Sequence, residues 1–216
     1  NPRAIGPLIK VLTDPEEDDF MRSQAALALG RFQEQSAVQA LTEAFLDEHS
    51  ALMVKCDAAV ALGKTRHETA PHVLLEAFAK TGTTEEDECV RRSIVFGLGH
   101  TRRKETVHPL LAIMNAPENS DRLRATAAVS LGRTTDKTAV KRLLSAARDE
   151  TLPRKVRNAA AMGLVLSGDL AGLDYVFSAL SEGPDWHIYG CALAIGQIRD
   201  RHAVPRLIEA LKHPCF

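Results

Sequence analysis

The reading turns on Arg22-Ser-Gln-Ala-Ala-Leu-Ala-Leu-Gly30. The phrase returns as Lys55-Cys-Asp-Ala-Ala-Val-Ala-Leu-Gly63, as Arg91-Arg-Ser-Ile-Val-Phe-Gly-Leu-Gly99 and as Arg124-Ala-Thr-Ala-Ala-Val-Ser-Leu-Gly132. A fifth copy runs from Arg157 to Val165, where the glycine is replaced, and a sixth ends at Gly196. The six closing positions, the markers, are separated by 33, 36, 33, 33 and 31 residues. A constant period of this size marks a stacked repeat.

Working outward, a second block keeps the same register. Eight residues after each marker stand Val38, Pro71, Val107, Val140, Leu173 and Val204. Eleven after it stand Leu41, Leu74, Leu110, Leu143, Val176 and Leu207, and fifteen after it Phe45, Phe78, Met114, Ala147, Leu180 and Leu211. Steps of three and four place these on one helical stripe. Each unit is therefore two helices, A ending near the marker and B following a short turn. The marker glycine either caps helix A or lets a neighbouring backbone approach. In the fifth copy helix A is expected to reach Gly168. Asp136, Asp169 and Asp200 are expected N-caps of helix B, and Pro15, Pro117, Pro153 and Pro184 fall between units.

One helix pair cannot cover its own apolar flank, but stacked neighbours can. The expected fold is all-α, a right-handed α-solenoid of about six and a half two-helix repeats in a single array. The boundaries are 1–14 (partial), 15–47, 48–82, 83–116, 117–150, 151–183 and 184–216. Ile5, Leu8 and Leu12 fill the B columns of a repeat whose helix A is absent. With no polar capping unit at either end, the chain reads as a slice of a longer array.

Composition agrees. Of the 216 residues 45% are hydrophobic and 25% charged, as in a foldable globular chain, and 5% aromatic, which favours helix over sheet. Apolar runs are too short to span a bilayer. The net charge of −1 gives no global case for nucleic acid. Cys56, Cys89, Cys191 and Cys215 contain no close pair, which excludes a zinc knuckle or redox CxxC, and they read as small buried hydrophobes. Unpaired cysteines and the lack of a visible signal peptide favour a cytoplasmic setting.

The Arg-x-x-Ala-Ala-x-Ala-Leu-Gly phrase, followed by Ala-Val-x-x-Leu as in Ala139–Leu143 and Ala203–Leu207, resembles HEAT-like repeats of the phycobilisome-lyase type. That resemblance covers essentially the whole chain and implies architecture more than activity. Its members include bilin lyase subunits, deoxyhypusine hydroxylase and many scaffolds. The hydroxylase implies a His-Glu pair just after the helix-A arginine, in several repeats, to hold two irons. Here those positions carry Ser23-Gln24, Cys56-Asp57, Arg92-Ser93, Ala125-Thr126, Asn158-Ala159 and Tyr189-Gly190, and His67-Glu68 is out of phase. No residue carries lyase chemistry across.

No Ser-His-Asp or Cys-His set assembles from the sequence, and no cofactor or metal motif stands out. His72 and His108 share a phase nine after their markers, but Gln39 and Lys141 would be poor third ligands. Residues nine, ten and thirteen after each marker should line the concave side. The centre of that row is cationic, with a tyrosine beside it, and Arg and Tyr are favoured interface anchors. The expected function is a non-catalytic scaffold holding a protein partner through His72, His108, Lys141, Arg142, Tyr175 and Arg206. The bland alternative is an ordinary solvated surface.

Charges divide by edge. Acids such as Asp14, Glu16–Asp19, Asp47, Glu48 and Glu85–Glu88 gather between units, and bases such as Arg31, Lys64, Arg66, Arg102–Lys104, Arg133 and Lys137 gather in A–B turns. Helix dipoles account for this, and a basic docking ridge is the other reading. A bilin lyase-like or chromophore-handling role is a second functional reading. Nucleic-acid binding on the basic edge is a third, disfavoured by the acidic edge and scarce aromatics. The ladder Arg22, Lys55, Arg91, Arg124, Arg157 is expected to pair along the stack, with acids eight residues before three of its members, Asp14, Asp47 and Asp149. Trp186 reads as a packing plug. The oligomeric state is not legible.

Overall fold

The computed structural model describes residues 2–168 and Ile208. The chain forms two compact units, Asn1–Thr106 and Val107–Phe216. After a 3-10 turn at Pro2–Ala4, the first unit carries α1 (Ile5–Thr13), α2 (Asp19–Leu29), α3 (Gln35–Leu46), α4 (Leu52–Thr65), α5 (Ala70–Lys80) and α6 (Glu85–Thr101), then a 3-10 turn at Lys104–Thr106. The second carries α7 (Val107–Asn115), α8 (Asp121–Thr134), α9 (Lys137–Arg148) and α10 (Arg154–Ser167). There is no strand among the described residues. The architecture is the expected all-α solenoid: even-numbered helices are the A helices and odd-numbered ones the B helices.

In the first unit α2 packs on α4 and α4 on α6, while α1, α3 and α5 each lie against the next A helix. In the second, α8 packs on α10, with α7 against α8 and α9 against α10. The B-helix stripe is core. Leu41, Leu74, Leu110 and Leu143 are wholly buried, as are Leu29, Leu62, Leu98, Leu131 and Leu164 of the A helices.

The marker glycine serves close approach. A Cβ on Gly63 would land on the backbone of Gly97, and one on Gly132 on the backbone of Gly163. Gly97 and Gly163 lie two residues before the next marker, so small residues at two register positions let consecutive A helices touch at backbone level.

Gly30 itself caps α2, as the sequence allowed, and in α4, α6, α8 and α10 capping falls to the third residue after the marker. Arg66, Arg102, Thr135 and Gly168 all adopt the left-handed conformation, with φ of 55°, 54°, 54° and 89°. Helix A therefore runs two residues past the marker in α4, α6, α8 and α10, not in the fifth copy alone. In these four helices the last residue carries a hydroxyl. Thr65, Thr101, Thr134 and Ser167 donate to the carbonyls of Leu62, Leu98, Leu131 and Leu164 at 2.6, 2.6, 2.7 and 2.6 Å. Each thus satisfies a last-turn acceptor. At the helix starts Asp18, Ser120 and Asp136 cap by side chain, and Thr84 with Asp87 forms a capping box. Asp136 is as expected; Asp169 and Asp200 lie outside the described residues.

The arginine ladder is structural, but its partners differ from those expected. Arg22 Nε donates to the Leu12 carbonyl at 3.1 Å and Arg124 Nε to that of Met114 at 3.0 Å, each closing the end of the preceding B helix. Lys55 Nζ donates to the Glu48 carbonyl at 3.0 Å, and Arg91 lies over the Phe78 ring at 4.6 Å. The carboxylates near Arg22 and Arg124 belong to Asp19 and Asp121, three residues earlier, at 3.5 and 3.8 Å. The acids eight residues earlier chiefly turn their own loops, with Lys55 and Arg157 acting on Asp47 and Asp149 only through charge. Asp14, Asp47 and Asp149 accept the amides of Glu16, His49 and Thr151 at 3.0, 3.0 and 2.9 Å.

Three substitutions check this account by thermal unfolding of the full chain. Gly132→Ala should destabilise by about 1–3 kcal/mol through overpacking, whereas Gly6→Ala, where a Cβ meets nothing within 4 Å, should be neutral or stabilising. Thr135→Gly should raise stability by about 1 kcal/mol by relieving a β-branched residue of a left-handed backbone.

Candidate functional site

The B helices present one polar row per repeat. On α3, Gln39 and Glu43 are exposed and hydrogen-bonded at 2.9 Å. On α5, His72 is exposed and its Nε2 lies 3.9 Å from Glu76, which also accepts Lys80 Nζ at 2.6 Å. The Lys80 hydrogen bond, then its charge, holds the Glu76 carboxyl below its ordinary 4.5, with His72 adding to the effect. On α7, His108 and Ala112 are exposed; on α9, so are Lys141, Arg142 and Ser145. Of the six residues expected to bind a partner, His72 thus lies in the first unit and His108, Lys141 and Arg142 in the second. Tyr175 and Arg206 lie outside the described residues, as do Trp186, Cys191 and Cys215.

Position ten after the marker departs from expectation. Ala40 is buried, and Val73 and Pro109 are half-buried; of the described members only Arg142 is exposed. On a helix this position borders the core stripe at eleven, so a small or apolar residue there is drawn under its neighbours.

The polar residues of the A helices meet between repeats. The Ser23 hydroxyl donates to the Asp57 carboxylate, and Cys56 shares a hydrogen bond with Ser93. Burial pushes the Cys56 thiol up, and the Ser93 bond partly opposes that. Cys56 is half-buried, between neighbouring A helices, and Cys89, on the first turns of α6, is exposed, so neither is the fully buried hydrophobe expected from sequence. Among the described residues no three His, Cys, Asp or Glu side chains are gathered so as to hold a metal ion.

The sequence matches the family described as HEAT repeats over residues 5–85 and 75–165. The chain belongs to the HEAT-repeat family. Residues 189–213 also match the PBS lyase HEAT-like repeat. No curated protein matches this HEAT chain in sequence. Among solved structures it is similar to the complex of CpcE and CpcF of phycocyanin lyase from Nostoc sp. PCC7120, with a TM-score of 0.63 and 18% identity, covering 98% of this chain and 82% of that one. It is also similar to human deoxyhypusine hydroxylase in complex with glycerol, with a TM-score of 0.54 and 20% identity over 98% of this chain and 79% of that one. These likenesses concern the HEAT fold.

Sequence reasoning passed over one set of side chains. Phe20, Met21, Leu46, Leu52 and Met53 are exposed apolar residues at the acidic end of the first HEAT unit. Phe20 and Met53 both stand ten residues before their markers, where the later repeats carry Cys89, Arg122 and Lys155. That comparison within the repeat was the available signal.

No helix among the described residues is long and apolar enough to cross a membrane. On the acidic edge, hydrogen bonds hold three aspartates below their ordinary 3.8: Asp47 through the His49 amide and Ser50 hydroxyl, Asp87 through Thr84, and Asp149 through Thr151. A depressed folded-state pKa gives stability that is complete above the unfolded value and lost as pH falls through the folded one. The melting temperature should therefore hold from neutral pH to about 5 and fall below about 4. Asp47→Asn/Asp149→Asn should melt lower at neutral pH and show a shallower acid fall.

Proposed function

We propose that this HEAT array is a non-catalytic scaffold that binds a protein partner along its B-helix face, with His72, His108, Lys141, Arg142, Tyr175 and Arg206 as anchors. The observation that supports it is the exposure of His72, His108, Lys141 and Arg142 at related phases of successive B helices, while the core stripe beside them is spent on stacking. Lys141 and Arg142 put two cations on one turn of α9, which suits an acidic partner surface. The Arg guanidinium can take a carboxylate by two hydrogen bonds at once. His72 lies beside Glu76, which offsets positive charge there, and belongs at the flank of such a contact, not its centre.

A second reading is a lyase-like, chromophore-handling subunit paired with a homologous HEAT chain. It rests on the likeness to the phycocyanin lyase complex. It would require added bilin to change its absorbance on mixing with this chain.

Crosslinking mass spectrometry of partners captured on the full chain separates these readings. Lys141→Glu/Arg142→Glu should remove the captured partner while the melting temperature stays put, because both residues are exposed. An unchanged partner list would count against this face.

A further inference from the structure

We propose that the first unit has a second docking surface, at the start of its A helices, that takes a basic amphipathic helix of another protein. Side chains on three helices make it. Phe20 and Met21 lie on the first turn of α2, Leu52 and Met53 on the first turn of α4, and Leu46 is the last residue of α3. They are 57%, 48%, 37%, 42% and 55% exposed, whereas the leucines at the other end of the same helices are wholly buried.

The register brings these five together. α2 and α4 are side by side and parallel, since Ser23 bonds Asp57 in their first halves and Gly30 abuts Ala61 near their ends. Phe20 and Met53 hold the same position in their repeats, so their first turns are neighbours, with axes roughly 8–10 Å apart. α3 connects them, running back against α4, and its last residue, Leu46, arrives at the same end. In the second unit the matching position holds Arg122 and Lys155; the apolar surface is particular to the first unit and not a by-product of the repeat.

Charge identifies the occupant. The segments 13–21, 46–54 and 81–90 that border the surface contain Asp14, Glu16–Asp19, Asp47, Glu48 and Glu85–Glu88, and no Lys or Arg. Arg22 and Lys55, which follow these segments, are turned back onto the Leu12 and Glu48 carbonyls, and the surround stays predominantly acidic; apolar side chains in such a surround select an apolar stripe flanked by basic residues. Apolar residues at i, i+3, i+4 and i+7 with lysines beside them supply that, and two methionines let the surface adapt to the stripe. A second copy of this chain would bring the same acids against each other, and an anionic membrane would be repelled.

The probe is a fluorescein-labelled Leu/Lys peptide of about five helical turns, followed by anisotropy with the full chain. It should bind, more weakly as salt rises, and Phe20→Ser/Met53→Ser should weaken it by about tenfold or more with an unchanged melting temperature. A scrambled Leu/Lys peptide without a stripe, and a Leu/Glu peptide with one, should bind far more weakly. Lys141→Glu/Arg142→Glu should bind the probe as the parent does, so this surface and the B-helix face fail separately. Four outcomes would overturn the proposal. These are no binding of the probe, equal binding to Phe20→Ser/Met53→Ser, equal binding of either control peptide, and self-association in sedimentation that Phe20→Ser/Met53→Ser abolishes.

Discussion

Parallel A helices touching at backbone distance are the constraint from which the rest of each unit follows. The contact needs a residue without a side chain, or nearly so, at two register positions. Gly63 against Gly97 and Gly132 against Gly163 supply it, and Gly30 against Ala61 is a looser version. With the A helices this close, the leucines one residue before each marker are enclosed without gaps. The Ala-rich phrase serves the same end: bulk at those positions would push the repeats apart and expose the stripe between them.

Helix ends carry the second layer of the design. A stacked array multiplies termini, and each terminus leaves backbone groups needing partners. The chain meets this with the same devices in successive repeats. A hydroxyl at the last residue of helix A turns back on the preceding turn, a left-handed residue follows it, and an arginine or lysine early in helix A reaches a carbonyl at or just past the end of the previous B helix. Arg124 is buried in doing so, which makes it part of the frame and unavailable to a partner. Acids at helix starts and bases at helix ends complement the same dipoles. The division of charge between edges therefore begins as a property of helices, and it becomes a recognition feature only where apolar side chains break the pattern, as at Phe20 and Met53.

The fold was legible almost entirely in one dimension. Period, the two-helix unit, the core columns at eight, eleven and fifteen, and the cap at Asp136 follow from the spacing of apolar residues and from local hydrogen-bonding chemistry, both of which act over a few residues. The B-helix surface was legible only as a phase: His72, His108, Lys141 and Arg142 are exposed as read, but Ala40, Val73 and Pro109 sink toward the core, because the width of an apolar stripe depends on the helix beside it.

What the sequence determined by itself was the repeat, since a helical period of apolar residues can be buried in few ways. What only the tertiary structure decided was who meets whom across repeats. Arg22 reaches the Leu12 carbonyl and not Asp14, Cys56 meets Ser93, Gly63 faces Gly97, and the first turns of α2 and α4 line up to leave five apolar side chains in water. Those pairings depend on the offset between neighbouring helices. That offset is set by how closely two backbones can approach, a distance no single helix contains.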